Sequence, residues 1–112
     1  MSRRIIQLNL ALHRDIARYI SRSVNVEGIL ITVSYVSIKE DLQSADVGVV
    51  CIPSNEIIIN KIVLLLNSHV YKIQKSILSD LYLKKIPAIR FIHDHSYRVF
   101  QKIDELIEQS KI

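Results

Sequence analysis

Arginine is the residue with the most evident chemistry in this chain, and five arginines fall early: Arg3, Arg4, Arg14, Arg18 and Arg22. Guanidinium groups form bidentate hydrogen bonds with phosphate oxygens, so a line of them on one face can follow a nucleic-acid backbone. The alternative is a solvated helix surface that binds nothing in particular. Other reactive types are less promising. His93, Asp94 and His95 could supply metal ligands, but neighbouring strand positions point to opposite faces. His93 and His95 share a face only if the strand continues, and a closed site needs further ligands. No metal site is expected, and Asp94 reads as a cap or turn residue. Glu40 and Asp41 sit in a polar stretch, where bonding to local amides explains them better than general acid-base work. Cys51 lies in the apolar run Val47 to Ile52, and a thiol buried there is a poor nucleophile. No catalytic residue and no cofactor are expected.

A helix positions the arginines. Ile5, Leu8, Leu12, Ile16, Tyr19 and Ile20 recur at three- and four-residue steps, predicting an amphipathic helix from Arg3 to Ser23. At about 100° per residue, all five arginines fall within an arc of roughly 100° facing away from that apolar stripe.

Ile29 to Ile38 is rich in β-branched and aromatic residues and reads as a strand, with Ile29, Ile31, Val33 and Tyr35 on one face. The polar stretch Lys39 to Ser44 forms a loop. Ala45, Val47, Val49 and Cys51 then alternate with Asp46, Gly48, Val50 and Ile52 before Pro53, completing a hairpin. From Ser54 or Asn55, which offer caps, a long helical pattern runs through Ile62, Leu66, Val70, Ile73 and Ile77 to Leu81. Asn67, Ser68 and His69 are its weakest helix formers, and the bend is placed there. Pro87 ends helical geometry and lets a strand begin over Ala88 to His93, leaving Lys84 and Lys85 at a mouth. Ser96 to Gln109 gives a final amphipathic helix. Tyr71 and Tyr82 read as partly buried packing residues with wet hydroxyls.

With 112 residues, 49% of them hydrophobic, the chain suffices for one compact domain over 1–112, with 109–112 frayed. The net charge of +4 leans only slightly toward a polyanionic partner. One cysteine precludes an internal disulfide and suits a reducing cytoplasm. Polar residues break every apolar run long enough for a signal peptide or membrane span. The only glycines, Gly28 and Gly48, form neither a phosphate-binding loop of the nucleotide-hydrolase type nor a Gly-x-x-Gly loop.

The order α-β-β-α-(kink)-α-β plus a C-terminal helix is α+β and matches the type II KH fold, a three-stranded sheet with helices on one face. Thr32, Val33 and Val36 in the first strand, Asp41 and Leu42 in the turn, Ala45, Val47 and Val49 in the second strand, and Pro87, Phe91 and Asp94 around the third follow one order and spacing. With these residues, a KH-like chain that has a helix kink in place of the glycine loop resembles the ribosome-binding factor A family. The family's Ala-x-Gly kink corresponds here to Asn67, Ser68 and His69, a departure in residue type, and asparagine's tolerance of left-handed conformations allows a bend without glycine.

The resemblance implies a non-catalytic assembly factor that binds the small (30S) ribosomal subunit and 16S rRNA. It would act in late maturation on free or immature particles, assisting rRNA 5′-end processing and growth in the cold. A cytoplasmic monomer without membrane association is expected. Charge and predicted exposure nominate Arg14, Arg18, Arg22, Lys72, Lys75, Lys84, Lys85 and Arg90 as RNA contacts. Arg90 reads equally well as a strand residue whose head reaches water. The alternative function is a KH-like protein-docking module without direct RNA binding, distinguished by weak salt dependence.

Overall fold

The computed structural model describes residues 3–81 and 87–95. Their order is α1 (Arg3–Ser23), β1 (Leu30–Ile38), β2 (Ser44–Ile52), α2 (Glu56–Ser68), α3 (Val70–Leu81) and β3 (Ala88–His93). Lys84, Lys85, Tyr82 and the predicted helix from Ser96 to Gln109 lie outside the described residues.

The sheet order is β1-β2-β3, with β1 antiparallel to β2 and β2 parallel to β3. A parallel pair requires a long crossover, and the α2-α3 pair supplies it. This gives an α+β fold whose helices cover one face of a mixed sheet. No helix among the described residues is long and apolar enough to cross a membrane.

The core lies between sheet and helices. Ala45, Val47, Val49 and Cys51 of β2 point inward by strict alternation, beside Ile89 and Phe91 of β3. Leu12, Ile16 and Ile20 of α1, Ile59, Ile62 and Leu66 of α2, and Ile73 and Ile77 of α3 close over them. Each helical set recurs at three- and four-residue steps, so one stripe per helix is buried.

β1 departs from simple alternation. Val33 pairs with Val49 and Tyr35 with Gly48, so Ser34 is an extra residue, a β-bulge. The bulge shifts the parity: Val33 and Ile38 are buried, while Tyr35 is exposed on the open face. The predicted grouping of Tyr35 with Ile31 and Val33 is therefore corrected. On that open face the Tyr35 ring crosses Gly48 so closely that a Cβ at 48 would collide with it.

Local chemistry fixes the turns. Gly28 has φ +79°, and Ile29 N donates to Val26 O at 3.1 Å, the positive φ that a type II turn places at its third residue. Asp41 Oδ1 accepts from Gln43 N at 3.0 Å, giving the acidic pair's stretch its turn role. Asn55 caps α2, its Oδ1 accepting from Ile58 N at 2.9 Å.

Candidate nucleic-acid interface

The arginine helix is seated by its own polar residues. β1 is an edge strand, with backbone groups that no neighbouring strand satisfies. Asn9 Oδ1 accepts from Ile38 N at 3.0 Å, and His13 Nε2 donates to Val33 O at 3.1 Å. Asn9 and His13 are four residues apart, so they share one side of α1 and clamp it along the strand edge. With that side and the apolar stripe committed, Arg3, Arg4, Arg14, Arg18 and Arg22 are all exposed.

The break between α2 and α3 falls at His69, the only residue between them outside helical structure. His69 has φ −93° and ψ −2°, so the chain turns there without a left-handed residue or a glycine. Three side chains secure the break. Asn67 Oδ1 accepts from Phe91 N at 2.9 Å while its Nδ2 donates to Phe91 O at 3.2 Å. Ala88 N and Asp94 N bond to Gln43 O and Val49 O of the neighbouring chain segment. In a parallel ladder such bonds recur at every second residue, so the Phe91 amide and carbonyl face the free edge of β3. Asn67 thus replaces a missing strand partner there. Ser68 Oγ donates to Leu65 O. His69 Nδ1 shares a hydrogen bond with Tyr19 Oη at 3.0 Å, their rings meeting edge to face at 5.9 Å. The break is therefore tied to the arginine helix through Tyr19 and to β3 through Asn67.

The nominated cations do not form a single patch. Ser76 of α3 and Arg18 and Arg22 of α1 line one cavity, and Lys72 lies one turn before Ser76 on the same side of α3. Arg14, Arg18, Arg22 and Lys72 therefore border one surface. Lys75 Nζ is 5.4 Å from the Tyr71 ring centre, and Tyr71 is exposed, not partly buried as predicted. Arg90 lies on the open sheet face, where its Nε is 3.4 Å from Asp46 Oδ1; Lys39 Nζ is 3.5 Å from Asp46 Oδ2. These are solvent-accessible pairs, of small energetic worth. Close by, burial and then the Asp94 and Asp46 carboxylates hold the Tyr35 hydroxyl pKa above its ordinary value, against Arg90.

Two contributors escaped sequence reasoning. Tyr19 reads as part of the apolar stripe, although its hydroxyl reaches the break. Asp15 was not singled out in the sequence, yet its side chain is 5% exposed, with Arg14 Nε at 3.3 Å from Oδ1. Its place at the margin of the apolar stripe was the available signal.

Among the described residues, no three His, Cys, Asp or Glu side chains are grouped to hold a metal. His93 and His95 do meet, Nδ1 to Nδ1 at 3.3 Å. Burial pushes the Cys51 thiol pKa up.

Residues 4–107 match the family model described as Ribosome-binding factor A. The chain belongs to the ribosome-binding factor A family. It is 34% identical over 99 residues to ribosome-binding factor A of Buchnera aphidicola subsp. Schizaphis graminum, covering 86% of this chain and 80% of that one. The fold is shared with the crystal structure of ribosome-binding factor A from Thermus thermophilus, at TM-score 0.69 and 18% identity, covering 80% of this chain and 94% of that one. A solution structure of a Thermotoga maritima protein described as a putative ribosome-binding factor A gives TM-score 0.68 at 23% identity, over 82% and 88% of the two chains. A Thermus thermophilus ribosome-binding factor A homology model, fitted into a map of its complex with the 30S subunit, gives TM-score 0.68 at 18% identity, over 80% and 93%. Within this family member, the interhelical break is secured by Asn67 bonding to β3 and His69 to α1, while Ser68 bonds back to Leu65 within α2.

Proposed function

We propose that this protein is a non-catalytic assembly factor that binds the small (30S) ribosomal subunit and 16S rRNA during late maturation. It assists rRNA 5′-end processing and growth in the cold, and works as a cytoplasmic monomer on free or immature particles. Membership of the ribosome-binding factor A family supports this reading, as does the 30S complex of the Thermus thermophilus relative.

The observation that carries it is the exposed face of α1. Arg14, Arg18 and Arg22 are exposed, and Arg18 and Arg22 line a cavity with Ser76 of α3, one turn from Lys72. Phosphate contacts of this kind fix register and orientation on RNA, while the folded surface selects an arrangement by shape. Binding one rRNA conformer better than its competitors shifts the population toward it without any bond being made or broken. Arg90 serves as a peripheral contact, because it lies on the open sheet face beside Asp46.

A second reading has one observation in its favour. Ile57 and Leu64, seven residues apart on one side of α2, are 70% and 72% exposed, which suits protein docking. Sedimentation with cell extract at low and high salt separates the two. Selective, salt-sensitive co-migration with free small subunits supports RNA contact, since counterion release makes phosphate binding fall steeply with salt. Association that ignores salt supports docking.

A further inference from the structure

The side of a helix turned away from the core ordinarily carries polar residues. In α2, EIIINKIVLLLNS, that side is interrupted by Ile57 and Leu64, 70% and 72% exposed. Beside Leu64 a cavity of about 560 Å³ opens between α2 and β3. Val63 and Leu64 stand on the α2 side and Ile92 and His93 on the β3 side, with the buried Ile59 and Phe91 also lining it. Asn60 and His93 are its polar members. Apolar grooves of this kind receive the apolar face of an amphipathic helix.

The chain carries such a face next to the groove. Val99, Phe100, Ile103, Leu106 and Ile107 recur at three- and four-residue steps between Ser96 and Gln109, a stretch outside the described residues. At 1.5 Å per residue a helix over 96–109 would be about 21 Å long, and α2, with 13 residues, is about 20 Å. A helix this short is marginal in water by itself and draws its stability from packing its apolar face. Ser96 follows the groove residue His93 by three positions, which span at most about 10 Å. A tether that short gives an effective concentration on the order of millimolar, so the chain's own segment outcompetes a free partner. The open sheet face also exposes apolar residues, Leu30 and Ile52, but it carries the Arg90, Asp46 and Lys39 ion pairs. We infer that residues 96–109 form a helix whose apolar face lies in the groove between α2 and β3. It covers Leu64 and the outer edge of β3, and a covered edge strand is protected from pairing with another chain. This inference does not depend on RNA contact by α1, and it gives the exposed side of α2 an occupant within the chain.

The test is nuclear magnetic resonance on the isotope-labelled full chain. Nuclear Overhauser contacts should join the Phe100 ring and Ile103 methyls to the Val63 and Leu64 methyls, at a strength independent of protein concentration. Leu64→Asp places a charge at an exposed position, so the domain should still fold. It should speed amide hydrogen exchange over 99–107 by about ten-fold or more, the factor that burial of one leucine side chain supplies. Amides of β2 should stay protected. Phe100→Asp should speed the same exchange and shift the Val63 and Leu64 methyl resonances. Absence of contacts between 99–107 and α2 in the folded native chain overturns the inference, as do contacts to Leu30 and Ile52 in their place. Unchanged exchange over 99–107 in folded Leu64→Asp does so too. Contacts found only between a labelled and an unlabelled copy put a second molecule in the groove and overturn the assignment to the chain's own segment. None of these outcomes alters the sedimentation result, which reads the RNA-binding face separately.

Discussion

Replacing Asn67 by alanine removes two hydrogen bonds at once, from the Phe91 amide at 2.9 Å and to the Phe91 carbonyl at 3.2 Å. A neutral hydrogen bond contributes about 0.5–1.5 kcal/mol net. Asn67 itself is exposed, so water partly replaces it and the lower part of that range applies. N67A should cost about 1–2 kcal/mol, or about 4–8 °C in Tm for a domain of this size. N67D sharpens the test. One oxygen of the new carboxylate still accepts from the Phe91 amide, but the other now faces the Phe91 carbonyl without a proton. Protonation restores the donor, so the folded state raises the pKa of the new carboxyl above the ordinary value of about 3.9. Stability from that bond is fully present below the ordinary value and is lost as pH rises through the elevated one. Urea denaturation followed by circular dichroism at pH 7 and pH 4 should show N67D at least as unstable as N67A at pH 7. Its deficit against the native chain should narrow at pH 4, while the N67A deficit should not. If N67A matches the native stability, or N67D has the same deficit at both pH values, Asn67 does not act as the strand partner described.

Three further outcomes are expected. Gly48→Ala should destabilise the native chain, because the new Cβ drives the Tyr35 ring from its place at a cost of about 1–3 kcal/mol. In a Tyr35→Ala background the same change should be neutral or stabilising, by up to about 1 kcal/mol, since glycine disfavours strands. Additive effects in that double-mutant cycle would contradict the stacking. Asn55→Ala should lower the urea-derived stability by about 1 kcal/mol through loss of the Ile58 cap; an unchanged midpoint would remove the cap's role. Cys51, buried and with its thiol pKa pushed up, should react with a thiol reagent only as fast as the protein opens. Immediate stoichiometric labelling of the native protein would contradict its burial.

Much of the fold was legible because local chemistry and global arrangement agree. The apolar period of α1 gave Arg3–Ser23, and Pro87 with the apolar run behind it gave Ala88–His93, both as observed. Asn55 was one of two candidate caps. The β1 bulge was not legible, because Val33, Val36 and Ile38 are β-branched on both parities, so either face could be the buried one. Side chains acting across long sequence separations were also hidden. Asn67 meets Phe91 and Tyr19 meets His69, 24 and 50 residues apart, and no periodicity reports such partners. Asn67 was singled out as a weak helix former, not as a partner of a strand edge. For the candidate interface, helical geometry alone found the exposed arginines. Only the tertiary arrangement set Arg90 on the opposite face of the sheet, beside Asp46, and brought Ser76 of α3 against Arg18 and Arg22.

The most direct test compares the native chain with the R14E/R18E/R22E triple variant by sucrose-gradient sedimentation with small ribosomal subunits at low salt. All three side chains are exposed, but Arg14 also pairs with the buried Asp15, so an R18E/R22E variant, which leaves that pair intact, is run beside the triple one and circular dichroism checks that both are folded. The native protein should co-migrate with free small subunits and leave them as salt rises, and the variants should remain at the top of the gradient. Undiminished co-migration of the folded variants would contradict phosphate contact through α1.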